Sequence, residues 1–223
     1  MNSKRNGLIQ CIFISSLLLF SLYPKIFMHA NHYLFADKGD AIKNYYNYVW
    51  HIKNDKTFLQ FQGMSYPYGE ALLLEDSMPF FSNMVKLISL IYPSISDYSV
   101  GIINLLLLIS IAIGAVCIFY IFLHFKLPPT LSAFAANAVC FLSSQILLLS
   151  PAGHLGLSFV CFFPLGWLFL IRFFDGNHKM KWSILIALNI LIWTYTHVYL
   201  GLLLLIFTFS THFFKVFLIP EPI

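Results

Sequence analysis

Apolar runs, separated by short polar connections, make up most of the chain. One run stands near the amino terminus, a long polar segment follows it, and five further runs come after that segment. Helices of about 20 apolar residues are long enough to cross a bilayer. The pattern therefore predicts an all-α polytopic membrane bundle of about six transmembrane helices, which fall at residues 8–23, 100–122, 131–149, 155–174, 182–195 and 199–218.

Two amphipathic helices are predicted within the polar segment. In residues 40–55, apolar side chains recur at helical spacing opposite a polar face. A second apolar stripe begins at Pro79, a residue suited to the first turn of a helix, and runs to residue 92. Both stretches are too short to span a bilayer. Because tyrosine and tryptophan favour the headgroup layer, we predict that the two helices lie flat on the membrane surface.

The lysines and arginines fall on alternate connections between the apolar runs. Short cytoplasmic connections carry an excess of these residues, whereas long translocated loops are largely exempt from the rule. We therefore predict a cytoplasmic amino terminus and an outward-facing polar segment. The basic positions are Lys4, Arg5, Lys126, the cluster at 172–181, and Lys215. The predicted division is a first transmembrane helix at 1–28, an extracytoplasmic loop at 29–98 and transmembrane helices two to six at 99–223.

The composition excludes a soluble protein. Apolar residues make up 59% and charged residues 10% of the chain, and the mean hydropathy is +0.79, which is typical of a polytopic membrane protein. Membrane lipids are therefore expected partners, and nucleic acid is not. The four cysteines stand singly in apolar runs and are predicted to be small buried hydrophobic residues. They are Cys11, Cys117, Cys140 and Cys161.

Most candidate catalytic and binding residues lie in the segment from Phe35 to Pro79, which contains six of the nine acidic residues. Polar groups at a membrane face cost free energy unless they have partners or a task. The predicted topology brings this segment to the same side of the membrane as two histidines at later helix ends, so we predict an outward-facing polar cavity. The candidate residues are Asp37, Asp40, Lys43, Tyr66, Tyr68, Glu70, Asp76, His154 and His197.

Each candidate also has a structural interpretation. Asp37 and Asp40 stand where they can cap the first amphipathic helix, and Asp76 stands where it can cap the second. His154 and His197 are placed as interfacial hydrogen-bonding groups at helix ends. The sequence leaves these interpretations open beside the functional ones.

The order of these features resembles the amino-terminal part of the GT-C superfamily of membrane glycosyltransferases. The motifs GDAIKNYY, from Gly39, and YPYGE with DSMP, from Tyr66, resemble bacterial members in particular. In that superfamily an aspartate of the first outer loop is the catalytic base, and the donor is a polyprenyl-phosphate sugar. The matching position is Asp40, with Asp37 as the alternative because a tight acidic pair is more typical there. The resemblance implies a multi-pass protein of the bacterial inner membrane that glycosylates a saccharide, lipid or protein.

The implied reaction needs a carboxylate to take a proton and a cation to hold the leaving phosphate. Asp40 is predicted as the base, and Lys43 or His154 as the group that holds the phosphate. The remaining candidates are predicted to bind substrate. No metal ligand set is predicted, although Mg²⁺ or Mn²⁺ between Asp40 and Asp76 stays an alternative, since both ions prefer oxygen ligands.

Two other functions remain open on the sequence. A transporter or flippase of lipid-linked saccharides also needs outward polar groups, although the absence of Asp and Glu from predicted spans two to six disfavours ion coupling. A scaffold whose loop binds another protein is the second. Because superfamily members carry further spans and often a carboxy-terminal domain, the resemblance also predicts that this chain is an amino-terminal fragment.

Overall fold

Helices form at nearly every apolar run, and the computed structural model describes residues 2–149 and 153–217. The described α-helices are α1 (Asn2–Leu22), α2 (Pro24–Met28), α3 (Gly39–Lys53), α4 (Pro79–Ser89), α5 (Ser99–His124), α6 (Pro129–Phe141), α7 (Ser144–Leu147), α8 (Phe162–Asp175), α9 (Lys179–Thr196) and α10 (Val198–Phe217). Short 3₁₀ turns lie at Leu72–Leu74, Pro93–Tyr98 and Leu155–Leu157. A small antiparallel ladder pairs β1 (Gln60–Phe61) with β2 (Glu70–Ala71).

Four helical stretches in the described part of the chain are long and apolar enough to cross a membrane. They are Ser3–Leu22, Pro93–His124, Leu155–Asp175 and Val198–Lys215. The described part of the chain is thus mostly helical with almost no strand, and its four apolar helices indicate a membrane protein; the predicted count of about six spans is not confirmed. Of the other two predicted spans, one corresponds to the short helix α6 followed by α7. The other corresponds to α9, which has two lysines in its first turn. The predicted end of the last span and residues 150–152 of one connection lie outside the described residues.

Helices α1, α5 and α6 pack together around polar groups in an otherwise apolar interior. Asn137 of α6 accepts a hydrogen bond from Ser15 Oγ at 2.7 Å and donates one to the Cys11 carbonyl at 3.1 Å. All four cysteines are buried and free, which confirms their assignment as small interior residues.

The amphipathic helix α3 turns its polar face into the protein. A helix lying flat on a membrane would present that face to water, but Asn44, Asn47 and His51 are fully buried. Part of the apolar stripe is buried as well, but its members Ile42 and Tyr46 are 42% and 40% exposed. The polar face can be buried because the rest of the loop supplies hydrogen-bonding partners for it.

Lys86 of α4 closes the carboxyl end of α3. Its buried ammonium donates hydrogen bonds to the carbonyls of His51 at 3.1 Å, Asp55 at 2.6 Å and Thr57 at 2.8 Å. The last carbonyls of a helix have no partner within the helix, and a cation there also interacts favourably with the helix dipole. Lys86 therefore couples the two loop helices.

Asn104, buried near the start of α5, fixes the loop to the membrane bundle. Its amide donates to the carbonyls of Ala30 at 2.8 Å and Tyr33 at 2.7 Å. Its side-chain oxygen accepts a short hydrogen bond from the hydroxyl of Tyr45 in α3. One side chain thus joins a spanning helix, the start of the loop and the first loop helix.

Candidate functional site

Four of the predicted site residues meet around the carboxylate of Asp76. Its Oδ1 atom lies 3.3 Å from His154 Nε2 and 3.6 Å from His197 Nε2. Its Oδ2 atom lies 3.5 Å from Lys43 Nζ. The convergence predicted from the topology is therefore present for this group, although its members are far apart in the sequence.

Asp76 and the two histidines line a cavity of about 360 Å³, and Lys43 contacts Asp76 from outside the lining. Leu73, Leu74, Glu75, Asp76, His154, His197, Val198 and Tyr199 line it. Polar and apolar side chains contribute to the wall, whereas another cavity, between α5, α6 and α8, is lined almost entirely by apolar groups. A concave site with a few convergent polar groups is the usual form of a small-molecule site.

The chain reaches this geometry through a tight turn before α4. Asp76 follows the 3₁₀ turn at Leu72–Leu74, and Met78 then adopts left-handed backbone angles, with φ 50° and ψ 63°. Such angles cost a residue with a side chain about 1–2 kcal/mol, and Met78 is held in them by complete burial. Met78 is also the cap residue of α4, and no side chain caps that helix. The capping interpretation of Asp76 is therefore wrong, because its carboxylate faces the histidines.

Asn44 joins the two segments that carry the site. Its amide donates to the Asp76 carbonyl at 3.2 Å, and its side-chain oxygen accepts the Leu155 N–H at 2.7 Å. Because Leu155 directly follows His154, one buried side chain of α3 positions both the carboxylate and the first histidine. Sequence analysis missed Asn44, although it lies one position after Lys43 in the motif.

The two histidines approach each other over Gly156. Their ring centroids are 5.0 Å apart in an edge-on arrangement. A Cβ atom at position 156 would lie 3.0 Å from a His197 ring carbon and 3.4 Å from a His154 ring carbon. His154 Nδ1 is buried and has no hydrogen-bond partner in the described structure, whereas His197 Nδ1 accepts the Tyr199 N–H at 3.3 Å.

The adjacent carboxyls of Glu75 and Asp76 have opposite electrostatic surroundings. A hydrogen bond from His154, and to a smaller degree one from His197, holds the pKa of Asp76 well below its usual range. Burial raises the pKa of Glu75 to about 7. Asn47 donates to Glu75 Oε2 at 2.8 Å, and Lys43 Nζ lies 3.8 Å from the same atom. Glu75 was not among the predicted site residues, although its place beside Asp76 in an acidic doublet was a usable signal.

Other predicted site residues lie outside this cavity. Tyr66 and Tyr68 are 93% and 92% exposed at the tip of the loop between β1 and β2. Glu70 begins β2, where Ser65 donates a short hydrogen bond to it. A hydrogen bond with Glu75 lowers the pKa of Glu70. Glu70 therefore contacts a residue of the cavity wall, although it does not line the cavity itself.

Asp37 and Asp40 are both exposed at the start of α3. Lys38 is the cap residue of that helix, and no side chain caps it, so the structure does not bear out the capping interpretation of either aspartate. Gly39 has a φ of 59°, which a residue with a side chain would adopt only at a cost. Asp40 lies one helical turn before Lys43 and Asn44, on the side of α3 that leads to the cavity.

Asp76, His154 and His197 are also the group of potential metal ligands found among the described residues, with ligand atoms all within 4.8 Å of one another. Asp40 does not belong to this group. Comparison of the chain with protein-family models, curated proteins and solved structures found no significant match. The chemistry of the cavity is therefore the basis for assigning a function.

Proposed function

We propose that this chain is a membrane glycosyltransferase that moves a sugar from a polyprenyl-phosphate donor to an acceptor on the outer face of the membrane. The observation that carries the proposal is the convergence of Lys43, Asp76, His154 and His197 at one polar cavity of a largely apolar molecule. The proposal includes the six-span arrangement with a cytoplasmic amino terminus in a bacterial inner membrane, in which α6 with α7 and α9 also cross.

A lipid-linked donor suits a cavity at the junction of loop and bundle. The lipid tail stays in the bilayer while the phosphate and sugar enter the cavity. Lys43 is 38% exposed, so its ammonium can turn from Asp76 towards a phosphate oxygen. That ammonium offers positive charge where the leaving phosphate develops negative charge.

Asp40 is the proposed base. Its carboxylate has no hydrogen bond or ion pair with any described residue, whereas Asp76 is held by two histidines and Lys43. The acceptor hydroxyl oxygen bonds to the anomeric carbon, the bond from that carbon to the phosphate oxygen breaks, and the hydroxyl proton passes to Asp40. The polyprenyl phosphate leaves with the bonding electron pair, beside Lys43.

Asparagine substitutions test this assignment in membranes that contain the protein, with a labelled polyprenyl-phosphate sugar as donor. Asp40→Asn should lower the transfer rate by a factor of about 10² to 10⁴, which is typical of a lost general base. Asp37→Asn is the matched control, because it is an exposed aspartate three positions earlier, and it should leave the rate unchanged.

The other outcomes discriminate between bases and functions. Loss of transfer in Asp37→Asn alone would make Asp37 the base. Glu75→Gln is a third variant. Loss of transfer in that variant alone would make Glu75, the buried carboxyl of the cavity, the base. If wild-type membranes moved no sugar, or if none of the three variants lowered the rate, the glycosyltransferase proposal would fail.

A further inference from the structure

We propose that Asp76, His154 and His197 bind a divalent first-row transition-metal ion such as Zn²⁺. The proposal does not depend on glycosyl transfer, because it follows from the positions and chemistry of three side chains. It differs from the Mg²⁺ or Mn²⁺ site considered between Asp40 and Asp76, since two of the three donors are nitrogen atoms.

Two of the three distances between donor atoms are close to those of a coordination sphere, and all three atoms lie within 4.8 Å of one another. Bonds of about 2.0–2.1 Å from Zn²⁺ to nitrogen and oxygen place neighbouring tetrahedral ligand atoms about 3.3 Å apart. The two histidine nitrogens lie 3.3 Å and 3.6 Å from Asp76 Oδ1. His51 Nδ1 and Asp55 Oδ2, a histidine–aspartate pair within the same loop, are closer, at 2.8 Å, so the contacts of Asp76 with its histidines are longer than a strong hydrogen bond.

The identity of the donors selects the class of metal. Two imidazoles with one carboxylate form the ligand set of many catalytic zinc sites, and imidazole suits zinc and its neighbours in the first transition row. Mg²⁺ and Ca²⁺ take oxygen ligands instead. The site should therefore discriminate strongly against Mg²⁺.

Neighbouring groups leave the correct atoms free for the metal. Lys43 lies nearer Asp76 Oδ2, so Oδ1 is the atom that faces both histidines. Asn44 fixes the backbone on both sides of the site. Histidine ligands usually donate a hydrogen bond from the other ring nitrogen. In His197 that nitrogen accepts the Tyr199 N–H, so a metal on Nε2 would require the ring proton to move to Nδ1.

Three protein ligands leave a fourth position open. Structural zinc sites are closed by four protein ligands, whereas catalytic sites keep one position for water or substrate. All three ligand residues line the cavity of about 360 Å³. A bound ion would supply positive charge there, and a fourth ligand entering from the cavity would be an oxygen donor such as water or phosphate.

Cobalt is the probe for this site, because tetrahedral Co²⁺ has intense visible absorption bands. The protein is purified in detergent without a polyhistidine tag, stripped with a chelator and titrated with Co²⁺. We expect one equivalent to bind with tetrahedral bands, Zn²⁺ to remove the bands, and millimolar Mg²⁺ to leave them. Asp76→Asn, His154→Ala and His197→Ala should each weaken binding at least tenfold.

A double variant of His29 and His32, both replaced by alanine, is the matched control. These histidines lie in the same outer segment but outside the cavity, and their removal should not change the titration. Loss of binding in this control, or persistence of binding in all three ligand variants, would overturn the proposal. Failure of wild-type protein to bind stoichiometric Co²⁺ would do the same.

X-ray absorption of the zinc-loaded wild-type protein provides a test that does not depend on whether a variant folds. Two imidazole nitrogens at about 2.0 Å, with one or two oxygens, are expected from the ligand set. A shell of oxygen alone, or of sulfur, would place the ion elsewhere and refute the assignment. Neither result bears on the glycosyltransferase assay, so the two proposals fail separately.

Discussion

Replacement of Lys86 by methionine should destabilise the loop much more than removal of an exposed lysine. Methionine is of similar length and is also unbranched, but it cannot donate to the carbonyls of His51, Asp55 and Thr57. A hydrogen bond to a charged group contributes about 1.5–3 kcal/mol. Burial of the ammonium, which lowers the pKa of Lys86, offsets part of that sum. We therefore expect a loss of about 3–5 kcal/mol in the free energy of unfolding.

Lys53→Met is the matched control for this measurement. Lys53 also lies in the loop, and its ammonium is 2.7 Å from Asp97 Oδ1, but both side chains are substantially exposed. Exposed ion pairs contribute about 0–1 kcal/mol. Reversible unfolding in detergent, followed by tryptophan fluorescence and circular dichroism, measures both variants. If Lys86→Met lost no more stability than Lys53→Met, the three carbonyls would not depend on this ammonium, and the reasoning would be refuted.

Two further predictions concern topology and the attachment of the loop. A cysteine at Tyr68 should react with an impermeant thiol reagent in intact cells and one at Asn177 should not, because the loop is predicted to face outward and the native cysteines are buried; the opposite labelling pattern would invert the topology. Asn104→Leu should cost about 2–4 kcal/mol in the same unfolding assay, since two carbonyls and the Tyr45 hydroxyl lose their partner. A loss within measurement error would show that Asn104 does not fix the loop to the bundle.

Periodicity and length predicted the positions of the loop helices and of the longest span. The predicted helix at 40–55 is α3 (Gly39–Lys53), the stripe from Pro79 contains α4 (Pro79–Ser89), and the run at 100–122 lies within α5 (Ser99–His124). The length of an apolar run was less informative where the helix does not extend over the whole run. The run at 155–174 becomes an α-helix only from Phe162, which puts Pro164 in the first turn, where proline is tolerated.

The side of α3 that is buried could not be read from its own residues. The helical pattern gives the polarity of each face, but whether the polar face meets water or protein depends on partners distant in the sequence. Glu75 accepts a hydrogen bond from Asn47, and Asn83 Oδ1 accepts one from His51 Nε2. Neither pairing has a local signature.

For the candidate site, the sequence predicted which residues share a side of the membrane but not which of them are in contact. The alternation of basic connections predicted that Lys43, Asp76, His154 and His197 lie on one side of the membrane, and in the structure these residues do meet. Topology gives a side and not a distance, however, so Tyr66 and Tyr68 were grouped with them although they lie at an exposed tip. The part played by Asn44 depends on its contact with Leu155, which only the folded chain reveals.

The tip of the loop between β1 and β2 is a natural place for an imaging handle. Tyr66 and Tyr68 are almost fully exposed, while Phe61, at the base of the ladder, is fully buried and ties the tip to the rest of the molecule. A short epitope grafted at the tip would therefore be accessible to an antibody fragment. For a membrane protein of 223 residues, such a fragment supplies the mass outside the micelle that single-particle electron microscopy needs for alignment.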